Sequence, residues 1–244
     1  EVEDIFPGYG NSAIQTEEYT QWVIENNFAS DFPDLTQVGV VITNTIEPYE
    51  ETKIRILNGG HTSLAYLGAL SGYTTFDQVM NDEAHRKHFR QLQNEEIMPS
   101  IDIDVPFDIH DYVDTVEERF SNATNLDDLD RICMDGFTKF HTFVVPSLRK
   151  CLEQGKRPIN IYKGIVAWYI YSRRFARGCT KIRYSEPNWT LLEPLLRDGS
   201  VDAFVSNERL WGDIPKKFIS FSRDLKSILL SHTYEKEIDL LTDD

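Results

Sequence analysis

Apolar residues recur with a helical period along most of this chain. Between residues 50 and 72 they return every three or four positions, and Gly72 stands where a helix C-cap favours a left-handed backbone. A second periodic stretch, 82–97, ends before Pro99. Two more, 108–120 and 126–139, flank a Ser-Asn-Ala-Thr-Asn break. Helices are further predicted at 143–153, 159–174, 189–197, 200–206 and 215–230. The 159–174 run, INIYKGIVAWYIYSRR, is the most apolar and is expected at the centre of the core. Residues 1–48 read differently: turn formers open them (DIFPGYG from Asp4), Pro33 and Pro48 punctuate them, and β-branched runs of strand length lie at 21–25 and 38–43. The pattern therefore predicts a mainly α, multi-helical domain over 49–244, preceded by a small β-containing segment over 1–48. The acidic tail, 239–244, is expected to fray.

Composition narrows the function. At 244 residues, 41% hydrophobic and 27% charged, the chain is ordinary globular protein, not disordered, collagenous or a disulfide scaffold. It contains no apolar run near the roughly 18 residues of a membrane helix, and no basic-then-apolar leader is expected from its opening residues. Its 25 Lys and Arg against 40 Asp and Glu give a net charge of −15, which repels phosphate backbones and anionic lipids. Neither nucleic acid nor a membrane is an expected partner. Cys133, Cys151 and Cys179 lack zinc-site or disulfide spacing and fit unpaired thiols in a reducing cytoplasm. His85 and His88, at i, i+3 in AHRKHFRQLQNEE, could share a metal in a hydrolase. No further ligand completes a set, so they read as a solvated helix face and no metal is expected. A glycine-rich phosphate loop, the usual mark of a nucleotide cofactor, is missing.

The informative stretch is KIRILNGGHTSL, from Lys53. On a helix turning about 100° per residue, with Lys53 at zero, Glu50 falls near 60°, His61 near 80° and Asn58 near 140°. Ile54, Leu57, Leu64 and Ala65 share that arc, which places four polar side chains on the core-facing side. They could be a snorkelling lysine, a capping amide and a satisfied core histidine. Converging, they supply a titratable base, a neutral double donor and an orienting group, which is what proton transfer at an alcohol oxygen requires. Such a lysine needs surroundings that disfavour its charged form; an apolar setting and the cations Arg131 and Lys139 would help, and Glu50, if close, would oppose. Gly59 and Gly60 fall on the other side, and close packing of another element would compensate their low helix propensity. Arg131, Asp135 and Lys139, spaced i, i+4, i+8, would form one helical stripe, either a solvated charge ladder or a binding face.

Lys53, Asn58 and His61, in KIRILNGGHTSLAYLGALSGY, resemble the K-x-x-x-x-N-x-x-H signature of the long-chain mannitol dehydrogenase family, which includes mannitol 2-dehydrogenases and fructuronate and tagaturonate reductases. Trp22-Val-Ile-Glu25, Phe120-Ser-Asn122 and Arg131-Ile-Cys-Met-Asp135-Gly-Phe-Thr-Lys139 are similar to further family segments. Val2-Glu-Asp-Ile-Phe-Pro-Gly-Tyr9 resembles the junction after the family's Rossmann domain. Phe137 departs from the usual Ser, and Glu3-Asp4 from the usual Asp-Arg.

The resemblance implies the second half of a two-domain enzyme. Its fold would be like the C-terminal domain of 6-phosphogluconate dehydrogenase, residues 1–48 would be an inter-domain junction, and the N-terminal Rossmann domain would be absent from this chain. NAD or NADP would be bound mainly by that missing domain, leaving this chain unable to turn over alone. By position, Lys53 would be the general acid/base, Asn58 would donate to the reacting oxygen, and His61 would orient the substrate. Arg131 and Lys139 would contact a polyol or sugar acid, with Glu50 a possible modulator and no metal involved. The alternative is a non-catalytic sugar-binding or interaction domain.

Overall fold

The computed structural model describes residues 8, 16–124, 127–178, 183–197 and 200–232. Chain contacts separate two units, Glu1–Ile46 and Glu47–Asp244. In the first, the strands β1 (Val23–Glu25) and β2 (Val41–Thr43) pair in parallel, Val23 opposite Val41 and Glu25 opposite Thr43. Both lie within the β-branched runs. The second run starts later than its composition suggests because Thr36–Val38 forms a 3-10 turn, ended by Gly39 at φ 87°. The resembled junction segment at 2–9, apart from Gly8, and the acidic tail lie outside the described residues.

The second unit is helical. Its first rod runs through α1 (Glu47–Thr52), a π turn (Lys53–Gly59) and α2 (Gly60–Leu70) before Gly72 ends it at φ 88°. Next come α3 (Phe76–Asn81), α4 (Glu83–Gln91) continuing into a π turn (Leu92–Ile97), and α5 (Ile109–Ser121). The short α6 (Leu129–Ile132) and α7 (Gly136–Lys139) lead through a third π turn (Phe140–Val144) into α8 (Val145–Glu153). Helix α9 (Ile159–Ala176) is followed by α10 (Trp189–Arg197), α11 (Val201–Val205), α12 (Glu208–Trp211), α13 (Ile214–Lys217) and α14 (Ile219–His232). No helix among the described residues is long and apolar enough to cross a membrane.

Helix α9 is the core, as its composition predicts. Ile161, Ile165, Val166 and Tyr169 are fully buried, and the helix packs chiefly on α2. Gly164 brings the two rods together: a Cβ there would sit 3.0 Å from the Ser63 Cβ. Acidic side chains account for several helix starts, since Asp82, Asp108 and Asp128 each accept from backbone N–H groups of the following turn.

Three expectations need correction. The 126–139 stretch is not one helix: α6 stops at Ile132, and Asp135, at φ 53°, turns the chain before α7. The helix expected over 215–230 breaks at Phe218. His85 and His88 are not a solvated face but 5% and 2% exposed. With Phe89 and Leu92 they form the i, i+3, i+4, i+7 stripe that α4 turns inward. His85 lies 2.7 Å from Asp82 Oδ1 through Nδ1 and 3.3 Å from Ser71 Oγ through Nε2.

The paired glycines sit where close packing was expected. A Cβ on Gly59 would lie 2.9 Å from the Phe143 carbonyl oxygen, and one on Gly60 would lie 2.6 Å from Gln93 Nε2 and 3.0 Å from Phe89.

Candidate functional site

The π turn decides where the signature residues go. Its wider winding departs from the plain 100° wheel. Lys53, expected on the core-facing arc, is instead exposed, while Arg55 is buried. Arg55 donates to Ser147 Oγ at 2.9 Å and pairs with Glu51 at 2.5 Å, tying the turn to α8. Asn58 and His61 remain half-buried and face a common cavity.

That cavity, about 170 Å³, is lined by Asn58, His61, Thr62, Arg131, Ile132, Lys139 and Phe143. No carboxylate lines it. Four of the residues singled out from the sequence thus meet in one place; Lys53 and Glu50 do not line it. Glu50 is exposed and borders a separate groove of about 680 Å³ with Ile54, Arg149 and Trp211.

Arg131 and Lys139 converge through a turn rather than a helical stripe. Pairing of Thr75 with Asp128, and a Leu129 N–H bond to Thr74 O at 2.9 Å, fix α6. Beyond it, Tyr66 donates to Cys133 O at 2.7 Å, and Asp135 N–H to Ser185 O at 2.8 Å. The buried Glu186 carboxylate accepts from Phe137 N–H at 3.0 Å and from Tyr184 Oη–H at 3.2 Å. Lys139 then folds back, its Nζ 2.6 Å from Ile132 O. Arg131 stays exposed and pairs with Asp127 at 2.5 Å.

The electrostatics follow from this arrangement. His61 stacks on Phe120 at 4.9 Å and meets the edge of Phe76 at 4.2 Å. Its Nε2 is buried without a partner among the described residues. Burial, reinforced by Arg131 and Lys139, pushes its pKa down to about 3, so the imidazole is neutral at physiological pH. Burial also lowers the pKa of Lys139, with Arg131 acting in the same sense. A neutral imidazole and a carboxamide, backed by two cations, suit a hydroxyl or carboxylate oxygen.

The sequence reading missed the aromatic seat of His61 and the lining residues Thr62 and Phe143. Phe120 was placed at the end of a predicted helix and in a segment of family resemblance, with no role at His61 foreseen. Among the described residues, no three His, Cys, Asp or Glu side chains are grouped to hold a metal.

Acid stability offers a check on the buried imidazoles. His88, like His61, is pushed by burial from 6.5 to about 3. Between those values the unfolded chain binds more protons, so stability falls as pH drops through that window, by about 2 kcal/mol per histidine at pH 5. Glu96, raised by burial from 4.5 to about 7, acts oppositely and favours the folded state as pH falls through its own window. Thermal unfolding between pH 7 and pH 4 should show a shallower acid decline in His88→Leu than in the parent; parallel declines would contradict it.

Comparison with known proteins agrees with this architecture. Residues 45–228 match the family described as mannitol dehydrogenase C-terminal domain. A mannitol 2-dehydrogenase of Phaeosphaeria nodorum is 31% identical over 94% of this chain and 40% of its own length. A D-arabinitol 4-dehydrogenase of Ralstonia nicotianae is 32% identical over 82% of the chain and 44% of its own. The structure of Pseudomonas fluorescens mannitol 2-dehydrogenase, a ternary complex with NAD and D-mannitol, superposes with a TM-score of 0.81 at 27% identity. That alignment covers 91% of this chain and 46% of that one. The chain thus spans less than half the length of these relatives. With the match running through well over half of its residues and the helical fold agreeing, the chain belongs to the mannitol dehydrogenase family, of which it carries the C-terminal domain.

Proposed function

We propose that this chain is the substrate-binding and proton-transfer half of an NAD(P)-dependent polyol or sugar-acid dehydrogenase. The observation carrying this reading is the convergence of Asn58, neutral His61, Arg131 and Lys139 on one small cavity, with Asn58 in the same π turn as Lys53. Relatives that oxidise mannitol and arabinitol, and a neighbour bound to NAD and D-mannitol, support the reaction class.

β1 is followed by β2 without an intervening glycine loop and helix N-terminus to cradle a pyrophosphate. A separate Rossmann domain would hold the cofactor, whose nicotinamide would take the hydride. This chain's part is the proton. Lys53 Nζ accepts it from the substrate hydroxyl, and Asn58 donates to the oxygen as negative charge develops there. His61, neutral, binds a neighbouring hydroxyl. No metal is called for, because the lysine and the amide supply the base and the electrophile. The exposure of Lys53 gives the second domain its purpose here: by covering the lysine it would desolvate the amine and favour its neutral form. The buried free thiols Cys133 and Cys151 suit a reducing, cytoplasmic setting.

Arg131 and Lys139 make a sugar acid attractive, since cations beside the cavity can hold a carboxylate. Oxidation of mannitol, altronate and mannonate, assayed with the dinucleotide-binding domain present, tests this. At least one should yield NAD(P)H, and Arg131→Ala should raise the KM of an acid by roughly tenfold while changing that of mannitol little. No oxidation of any of the three would contradict the reading.

A further inference from the structure

The three π turns among the described residues are not scattered. The first, Lys53–Gly59, packs against both of the others, Leu92–Ile97 and Phe140–Val144. A π turn is rare because it holds more residues per turn than the α form, so something outside the helix must favour it.

Gln93 has the geometry for that. It sits in the second π turn, fully buried, and its Nε2 donates to Ile56 O at 3.0 Å, in the middle of the first. The same carbonyl accepts from Gly60 N–H. Gly60 has no side chain where the Gln93 amide passes, since a Cβ would lie 2.6 Å from Nε2. The other end of the amide, Oε1, is buried with no partner among the described residues. A side chain kept only for packing would be apolar; this one leaves an acceptor unsatisfied to deliver one donor.

We infer that Gln93 is a positioning residue for the proton-transfer site: its amide holds Lys53–Gly59 in the wide register. The inference rests on the reading of Lys53 and Asn58 given above. Relaxing the turn by one residue to an α register rotates Lys53 by about 100° and moves it about 1.5 Å relative to His61. Misplacement of that size at a reacting group lowers turnover by about 100-fold.

The test is Gln93→Met, which keeps the side chain's bulk and removes the donor. In this chain, backbone amide exchange over 53–60 should accelerate roughly tenfold or more, with exchange in Ile159–Ala176 within about twofold of the parent. The Asn58 side-chain amide resonances should shift. Assembled with the dinucleotide-binding domain, the variant should lose kcat about 100-fold with the KM for cofactor unchanged. Equal acceleration in both helices, or unmoved Asn58 resonances, overturns the inference. So does a normal kcat in an enzyme that Lys53→Ala silences. If Gln93→Met fails to fold, Gln93→Leu, which also lacks the donor, is read in the same way. Exchange and Asn58 resonances need neither cofactor nor substrate, so they decide the register even if Lys53 proves not to be the base.

Discussion

Lys53→Ala, in the chain assembled with its dinucleotide-binding domain, is expected to lower turnover by roughly 10²–10⁴-fold while leaving cofactor affinity nearly unchanged. The reason is chemical. Oxidation of a secondary alcohol leaves a proton on oxygen, and Lys53 is the titratable base that the signature run offers. The exposure of Lys53 makes the variant structurally mild. A fall in kcat with unaltered thermal stability therefore separates catalysis from folding. Near-normal turnover would remove Lys53 from the mechanism.

The largest effect on stability is expected at Gly136. A Cβ there would lie 2.3 Å from Trp168 Nε1 and 2.5 Å from Tyr66 Oη, both on fully or almost fully buried side chains that cannot retreat. Trp168 stacks on Phe140 at 4.7 Å, and Tyr66 is committed to Cys133 O. Gly136→Ala should cost about 3 kcal/mol or more, as overpacking of a close-packed core does. A melting temperature lower by roughly 6–12 °C is the expected readout. Because Gly136 begins the helix carrying Lys139, the surviving folded protein should also bind substrate more weakly. A melting temperature within about 2 °C of the parent would mean the aromatic wall yields more than a packed core allows.

The helical half was largely legible in the sequence because it depends on periodicity. The 189–197 stretch coincides with α10, and the long 50–72 segment matches the rod from α1 through α2 up to Gly72. Periodicity could not show the winding within that rod. A π turn carries no compositional mark, and the groups packed on this one, the Phe143 carbonyl beside Gly59 and the Gln93 amide on Ile56 O, are far away in sequence. Hence the wheel put Lys53 on the buried side. The glycine pair was the accessible clue, and it signalled close approach without saying what approached. Asp135-Gly136 was a missed turn signal, overridden by the i, i+4, i+8 spacing around it. The burial of His85 and His88 was hidden by charge: a stretch rich in Arg, Lys and Glu still turns one stripe inward, and its apolar members lie only at Phe89 and Leu92. Of the cavity's lining, Asn58, His61, Arg131 and Lys139 had been marked by the resemblance, and a turn instead of the predicted stripe brings the last two together.

The most direct measurement is chemical rescue of Lys53→Ala. With the dinucleotide-binding domain and a saturating polyol or aldonate, small primary amines added to the variant should restore turnover in proportion to amine concentration. Across amines of similar size, the rescued rate should follow amine basicity, as general base catalysis requires. A variant that binds substrate and cofactor normally yet gains nothing from any amine would contradict the assignment of proton transfer to Lys53.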